Sequence, residues 1–221
     1  MTRSGSPGIL LRNRKNGKTA ELAAGSVRSP SEIQWARGEW FVSDVESGKP
    51  ALVVLSPTGE LRRRIPLERF TATPHQFAVL PDGRIVVEAP DGNLVAANSD
   101  STPVFALNEP GSKTGLLVAA SGGVLHAVPD RYLTLYNAFG HLRWRLDWPW
   151  ARTAFVTAIA IDPQNRIHVL AGVPGDSTFI VYSLSSQTGE VVTWSKPARY
   201  PTFVVDKLGS LKATDAEKWL K

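Results

Sequence analysis

The side chains best suited to bind a metal or move a proton are four histidines, because the chain contains no cysteine. That absence excludes disulfides, thiolate metal sites and a cysteine nucleophile. His126 and His168 each stand three positions after a predicted turn residue, Gly123 or Asn165. Two histidines without a companion carboxylate make a poor zinc site, so we expect both to pack between sheets. No Ser–His–Asp spacing is visible along the chain.

A segment rich in tryptophan and arginine, residues 144–152, is the sharpest feature outside any repeat. Trp144 fits the inward positions of an alternating strand and is expected in the core. Trp148 and Trp150 flank a proline, so we expect them at a rim, where they either fill a groove or anchor a partner. Together with the basic strand faces they form the predicted partner-binding set, which is Trp148, Trp150, Arg152, Arg143, Arg145, Arg62, Arg64, Arg12, Arg14 and Lys15.

The positive charge is concentrated near the N-terminus. Residues 1–69 hold 12 Lys and Arg against 7 Asp and Glu, which accounts for the whole net charge of +5. Such a face either protects strand edges or meets an acidic protein or lipid headgroups. Nucleic acid is disfavoured, because basic and aromatic residues are not interleaved along one strand face. The predicted partner is therefore a protein, within a multi-subunit complex, with an anionic surface as the alternative.

A pair of short apolar strands joined by a tight turn recurs along the chain. The turn residues Gly38, Gly83, Gly123, Asn165 and Gly209 lie 45, 40, 42 and 44 positions apart. That spacing is typical of the blades of a β-propeller. A second series of turns follows the first, so each repeat is predicted to have four strands.

The sequence therefore predicts an all-β fold, a β-propeller of four-stranded antiparallel blades with about five repeats, and hence five or six blades. The terminal half-repeats are expected to pair and close the ring. Residues 1–221 would then form a single domain, with repeats at about 31–70, 75–107, 114–147, 154–194 and 201–221, the last completed by 8–23.

Several of these runs resemble a known repeat. Residues 78–87, Ala-Val-Leu-Pro-Asp-Gly-Arg-Ile-Val-Val, and residues 52–61 are similar to the NHL-type and related six-bladed propeller repeats. Residues 40–44 share the likeness. The matching residues are structural, so the resemblance implies a fold and not an activity.

The first strand of each blade lines the central channel of a propeller, and propeller enzymes of the gluconolactonase type hold a metal there. In this sequence the ring has a single carboxylate, Glu32, which is too little for a divalent cation. No metal, cofactor or catalytic residue is therefore predicted. The candidate channel-mouth residues are Glu32, His75, Gln76, Thr157 and Thr202.

These patterns favour a non-enzymatic propeller that acts as a protein-interaction scaffold or structural subunit of a larger assembly. The alternatives are a lactonase-like or lyase-like enzyme and a small-molecule sensor that uses the channel mouth. No apolar run reaches the ~18–20 residues of a membrane helix. The sequence does not open with an apolar stretch of signal-peptide length. We therefore expect a soluble protein, cytoplasmic by default and extracytoplasmic if the chain is a processed form.

Overall fold

The structure is a computed structural model with two compact units, Met1–Lys113 and Thr114–Lys221. Every regular element in the described part is a β-strand, and none of it forms a helix able to span a membrane. The described residues are 9–12, 19–22, 25–70, 76–89, 91–107, 116–120, 122–128, 131–147, 155–162, 164–172, 178–194, 198–199, 201–205 and 211–215.

The first unit holds a hairpin and two four-stranded antiparallel sheets, the first and second blades. The hairpin pairs β1 (Ile9–Arg12) with β2 (Thr19–Leu22). The first blade runs in chain order through β3 (Glu32–Ala36), β4 (Glu39–Glu46), β5 (Lys49–Leu55) and β6 (Leu61–Pro66). The second blade is formed by β7 (Phe77–Val79), β8 (Ile85–Glu88), β9 (Leu94–Ala97) and β10 (Pro103–Leu107).

The second unit repeats this plan with a third and a fourth blade. The third blade is formed by β11 (Leu116–Ala120), β12 (Gly123–Val128), β13 (Tyr132–Asn137) and β14 (Leu142–Asp147). The fourth is formed by β15 (Phe155–Ile161), β16 (Ile167–Gly172), β17 (Thr178–Leu184) and β18 (Val191–Trp194), and β19 (Ala198–Arg199) also pairs with β17. A last hairpin joins β20 (Pro201–Val205) and β21 (Leu211–Asp215).

Turn chemistry sets where the strands end. In the five-residue turn of the second blade, Gly83 N–H donates to Leu80 O at 2.9 Å and Gly83 adopts φ 93°. Asn165 holds the same place in the fourth blade with φ 61°, because asparagine tolerates the left-handed region better than most residues. Gly123 proved to be a wrong choice of turn residue, since it pairs with Ala120 and opens β12.

The cores lie between layers inside each unit. In the first unit, Phe41 and Leu52 of the first blade pack with Phe77 and Ile85 of the second. In the second unit, Leu125 of the third blade belongs to one buried cluster with Val156, Ile167 and Val169 of the fourth. Alternation along the strands presents these apolar faces to one another, and burying each such side chain contributes roughly 1.5–3 kcal/mol.

The predicted fold class is confirmed by these four antiparallel four-stranded sheets. The hairpins β1–β2 and β20–β21 are each a two-stranded sheet. Their predicted pairing to close a ring stays a prediction, as does a single domain over the whole chain.

Candidate functional site

Much of the predicted partner-binding set falls on the chain outside the described residues. For two further residues, Arg12 in β1 and Thr202 in β20, the structure describes the backbone alone. The predicted residues outside the described part are Trp148, Trp150, Arg152, Arg14, Lys15 and His75.

Arg64 is engaged inside the first blade. Its Nη1 lies 3.3 Å from Asp44 Oδ2, and its Nη2 donates to the backbone oxygen of Ser26 at 2.5 Å. Asp44 is buried within β4 and accepts hydrogen bonds from the N–H groups of Arg28 and Ser29. The pair therefore fixes the segment that leads into the first blade. Arg62, two positions earlier, is exposed.

The β14 strand carries the other predicted basic residues. Arg143 and Arg145 are exposed, and the Arg145 guanidinium lies 3.8 Å from the centre of the Tyr132 ring. Trp144 points the other way, is 9% exposed and donates from Nε1 to Ser186 O at 2.9 Å, which confirms its place in the core.

Among the channel-mouth candidates, Glu32 holds its carboxylate in a partly buried position that disfavours the charged form. Gln34 Nε2 donates to Glu32 Oε1 at 3.1 Å and also to the backbone oxygen of Phe77. Burial raises the pKa of Glu32 although hydrogen bonds from the Gln34 side chain and the Phe77 backbone act to lower it, and no described residue bonds to its buried Oε2. Gln76 is half-buried beside this contact, whereas Thr157, in the second unit, is exposed and donates to Leu170 O at 3.2 Å.

A cavity of about 530 Å³ in the first unit was not predicted from the sequence. It lies where turns of the first and second blades come together, and we call it the Arg37 cavity. Its lining residues are Arg37, Glu39, Phe41, Arg63, Asp82, Gly83, Arg84, Asn98, Ser99 and Asp100.

Two of the three arginines in the Arg37 cavity are held by carboxylates. Arg63 makes a two-pronged pair with Glu39 at 3.1 and 3.0 Å. Arg84 Nε donates to Asp82 Oδ2 at 2.8 Å, and this contact lowers the pKa of Asp82 below its ordinary value. Arg37 is exposed and makes no hydrogen bond or ion pair with a described residue. The Arg37 charge nevertheless contributes to the lowered pKa of Asp82, so the two side chains interact without a direct bond.

The fourth blade contains a buried Asp–His–Ser network. His168 Nε2 lies 3.0 Å from Asp162 Oδ2, and its Nδ1 lies 2.9 Å from Ser183 Oγ. Burial raises the pKa of Asp162, but hydrogen bonds from the Arg166 backbone, His168 and the Arg166 guanidinium together lower it below its ordinary value. Ser183 is only 8% exposed, so the network is suited to holding the blade together and poorly placed to attack a substrate.

His126 in the third blade is also buried, so the predicted burial of both histidines is confirmed, whereas the expectation that neither has a companion carboxylate is wrong for His168. Its two ring nitrogens have no hydrogen-bond partner, and burial lowers its pKa to about 4. Across the described residues, no group of three or more His, Asp or Glu side chains is arranged to hold a metal ion.

Comparison with solved structures places this architecture in a known fold. The chain is similar to BBS1N, solved in complex with ARL6DN, at 17% identity and a TM-score of 0.59, over 90% of this chain and 65% of that one. The chain therefore spans less than two thirds of the length of that structure. A 6-phosphogluconolactonase-like protein from Bacteroides uniformis is similar at 15% identity and a TM-score of 0.63, over 95% of this chain and 71% of that one.

A protein from Lactobacillus plantarum is similar at 12% identity and a TM-score of 0.56, over 97% of this chain and 92% of that one. The fold is that of a β-propeller. At such low identities the likeness shows the fold alone. No protein-family model and no curated protein matches the chain.

Proposed function

We propose that this chain is a non-enzymatic β-propeller that acts as a protein-interaction or structural subunit of a larger assembly. The observation that carries the proposal is the outer strand of the fourth blade, β18, where Val192 is 66% and Trp194 is 68% exposed. No strand in the described part of the chain pairs with the outer edge of β18. Proteins usually protect such edges with charge or short strands, and this one displays a large aromatic side chain instead.

The physical chemistry of Trp194 fits an interface anchor. Trp194 stands directly opposite Tyr182 on β17. A tryptophan side chain buries 150–250 Å² and is enriched among the residues that dominate binding energy. Phe139 and Leu142, around the turn into β14, are further exposed apolar side chains of the second unit.

The comparisons support a protein-interaction role as a class of function for this fold. BBS1N was solved with a protein bound to it, so the fold serves protein recognition in one similar structure. We propose that the repeats are of the NHL type and that the rim around Trp148 and Trp150 adds to the surface. The exposed Arg62 and Arg143 would steer an acidic protein or anionic surface toward it.

The test is purification of the native protein with whatever binds it, followed by reconstitution from purified components. We expect Trp194→Ala to weaken that complex by about 2 kcal/mol or more, which is about a 30-fold rise in Kd. Trp35→Ala is the matched control, because Trp35 is also an exposed tryptophan but lies in the first unit. A complex that forms equally well with Trp194→Ala would exclude β18 as the docking strand.

A second function is favoured by Glu32. A half-buried carboxylate with a raised pKa and one unpartnered oxygen is suited to general acid or base chemistry at a channel mouth. The enzyme alternative, lactonase-like or lyase-like, would use it in that role. The measurement is turnover of a panel of lactones by the wild type and by Glu32→Gln. Turnover that disappears in Glu32→Gln and survives in Trp194→Ala would favour the enzyme.

Ring closure is part of the same proposal, with residues 8–23 completing the blade begun by residues 201–221. Because the chain has no cysteine, single cysteines introduced into β1 or β2 and into β20 or β21 report on this pairing without background. Facing strands would form a disulfide on mild oxidation, since bridged Cα atoms lie within about 7 Å. Failure of every such pair to cross-link would contradict closure.

A further inference from the structure

Arg37 is an unusual residue for the place it occupies. Ala36 pairs with Glu39, so Arg37 and Gly38 form a two-residue hairpin turn, with φ of 55° and 77°. Such turns favour Asn, Asp or Gly at the first position, because a bulky side chain at positive φ is strained. The other non-glycine residues with positive φ in the described part are Ser47, Ser101 and Asn165, all small and polar. Local strain of this kind marks candidate functional positions.

The second blade provides a seat for this side chain. A Cβ on residue 83 would collide with Nη1 of Arg37 and lie 3.0 Å from its Cζ. Gly83 therefore has two roles: it adopts the positive φ that its own turn requires, and it leaves room for the guanidinium of Arg37. The contact with Gly83 therefore holds the Arg37 side chain at the wall of the Arg37 cavity.

The charges of the Arg37 cavity define the ligand. Arg63 and Arg84 are each paired with one carboxylate, whereas Arg37 makes no hydrogen bond or ion pair with a described residue and its charge acts on Asp82 without direct contact. Glu39, Asp82 and Asp100 line the same cavity, so a doubly charged phosphate would be repelled more than a singly charged group. A carboxylate matches one guanidinium in charge and in its two-pronged geometry.

We infer that the Arg37 cavity binds a Glu or Asp side chain of an acidic protein segment, with Arg37 as the residue that recognises it. The inference rests on the proposed function, since it names the chemistry of a protein partner. Asn98 and Ser99, both exposed at the cavity wall, offer hydrogen bonds to the backbone of such a segment. This site lies in the first unit and is distinct from β18.

The test measures binding of a fluorescently labelled octapeptide of alternating Glu and Gly, with a Gln–Gly octapeptide as its neutral counterpart. We expect the Glu peptide to bind at least 10-fold more tightly than the Gln peptide. Arg37→Asn should remove that preference while raising Tm by about 2 °C, because asparagine relieves the strain of the turn. Arg69→Asn, an exposed arginine of the same unit outside the cavity, should leave the preference within 2-fold.

Three results would overturn the inference. The first is equal loss of binding in Arg37→Asn and Arg69→Asn, which would mean general charge attraction. The second is displacement of the peptide by inorganic phosphate at lower concentration than by acetate. The third is wild-type peptide binding by Arg37→Asn. If a purified partner then still depends on Trp194, this inference fails while the proposed function stands.

Discussion

His126 and His168 are buried in the second strands of two neighbouring blades, but His126 is the fourth residue of β12 and His168 the second residue of β16, and their surroundings are opposite. His126 lies opposite Thr134 across β12 and β13, and His168 lies opposite Ser183 across β16 and β17. His168 bonds through both ring nitrogens, whereas no described residue bonds to either nitrogen of His126 or to the buried Thr134 hydroxyl. A histidine is therefore buried in two similar strands at very different costs in free energy.

The preceding turns differ in length, and the two histidines lie at different distances from them. In the fourth blade a five-residue turn begins at Asp162, and its carboxylate reaches back to the ring of His168. In the third blade Ala120 pairs directly with Gly123, so the turn has two residues and supplies no carboxylate. His168 therefore gains a carboxylate partner from a longer turn that lies close to it, whereas His126 lies two residues farther along its strand from a shorter turn.

The difference has an energetic consequence. A buried donor or acceptor without a partner costs about 1–3 kcal/mol. His126 meets this by remaining neutral, since burial lowers its pKa to about 4. The fourth blade instead depends on a buried carboxylate, which is stable only while its hydrogen bonds are intact.

The largest expected effect comes from removing Asp162. Asp162→Ala leaves His168 and the Arg166 backbone without their acceptor, so we expect the free energy of unfolding to fall by about 3 kcal/mol. Urea denaturation followed by circular dichroism measures this loss. Asp91→Ala is the control, because Asp91 makes similar turn hydrogen bonds in an exposed position and should cost about 1 kcal/mol or less. Equal losses would mean that the buried network adds nothing to the turn.

The second effect is a pH dependence contributed by His126. Its folded pKa of about 4 lies below the ordinary 6.5, so between those values the unfolded chain binds the proton and the folded chain does not. Stability should therefore fall as pH decreases through 6.5, by about 2 kcal/mol between pH 7.5 and 5 from this group.

His126→Leu should remove that contribution, and urea denaturation of both proteins at the two pH values gives the difference directly. His168 provides the contrast, because its ring is bonded on both sides and His168→Leu breaks those bonds at either pH. If the wild type and His126→Leu lose stability in parallel, His126 does not carry the dependence.

The sequence was sufficient for the fold class because spacing, alternation and turn residues are local signals. The turn at Gly83 and the inward alternation of Trp144 are readable one residue at a time. The hydrogen bonds of His168 and the seat of Arg37 were not readable, because each joins residues from different strands or blades. The missed signal was the Arg37–Gly38 pair itself, because arginine is unusual before glycine in a tight hairpin turn.

The smallest effect tests the hydroxyls that face the two histidines. Thr134→Val replaces a buried hydroxyl that has no partner with a methyl group of the same shape, so we expect stability to stay level or rise by about 1 kcal/mol. Ser183→Ala removes a hydroxyl 2.9 Å from His168 Nδ1, so stability should fall by about 1 kcal/mol. The expected changes differ because only Ser183 has a hydrogen-bond partner among the described residues, and thermal unfolding at pH 7.5 resolves a loss or gain of this size as a shift of about 2–4 °C. If both variants lost stability alike, the Thr134 hydroxyl would have a partner after all, and the contrast between the two blades would lie elsewhere than in their hydrogen bonds.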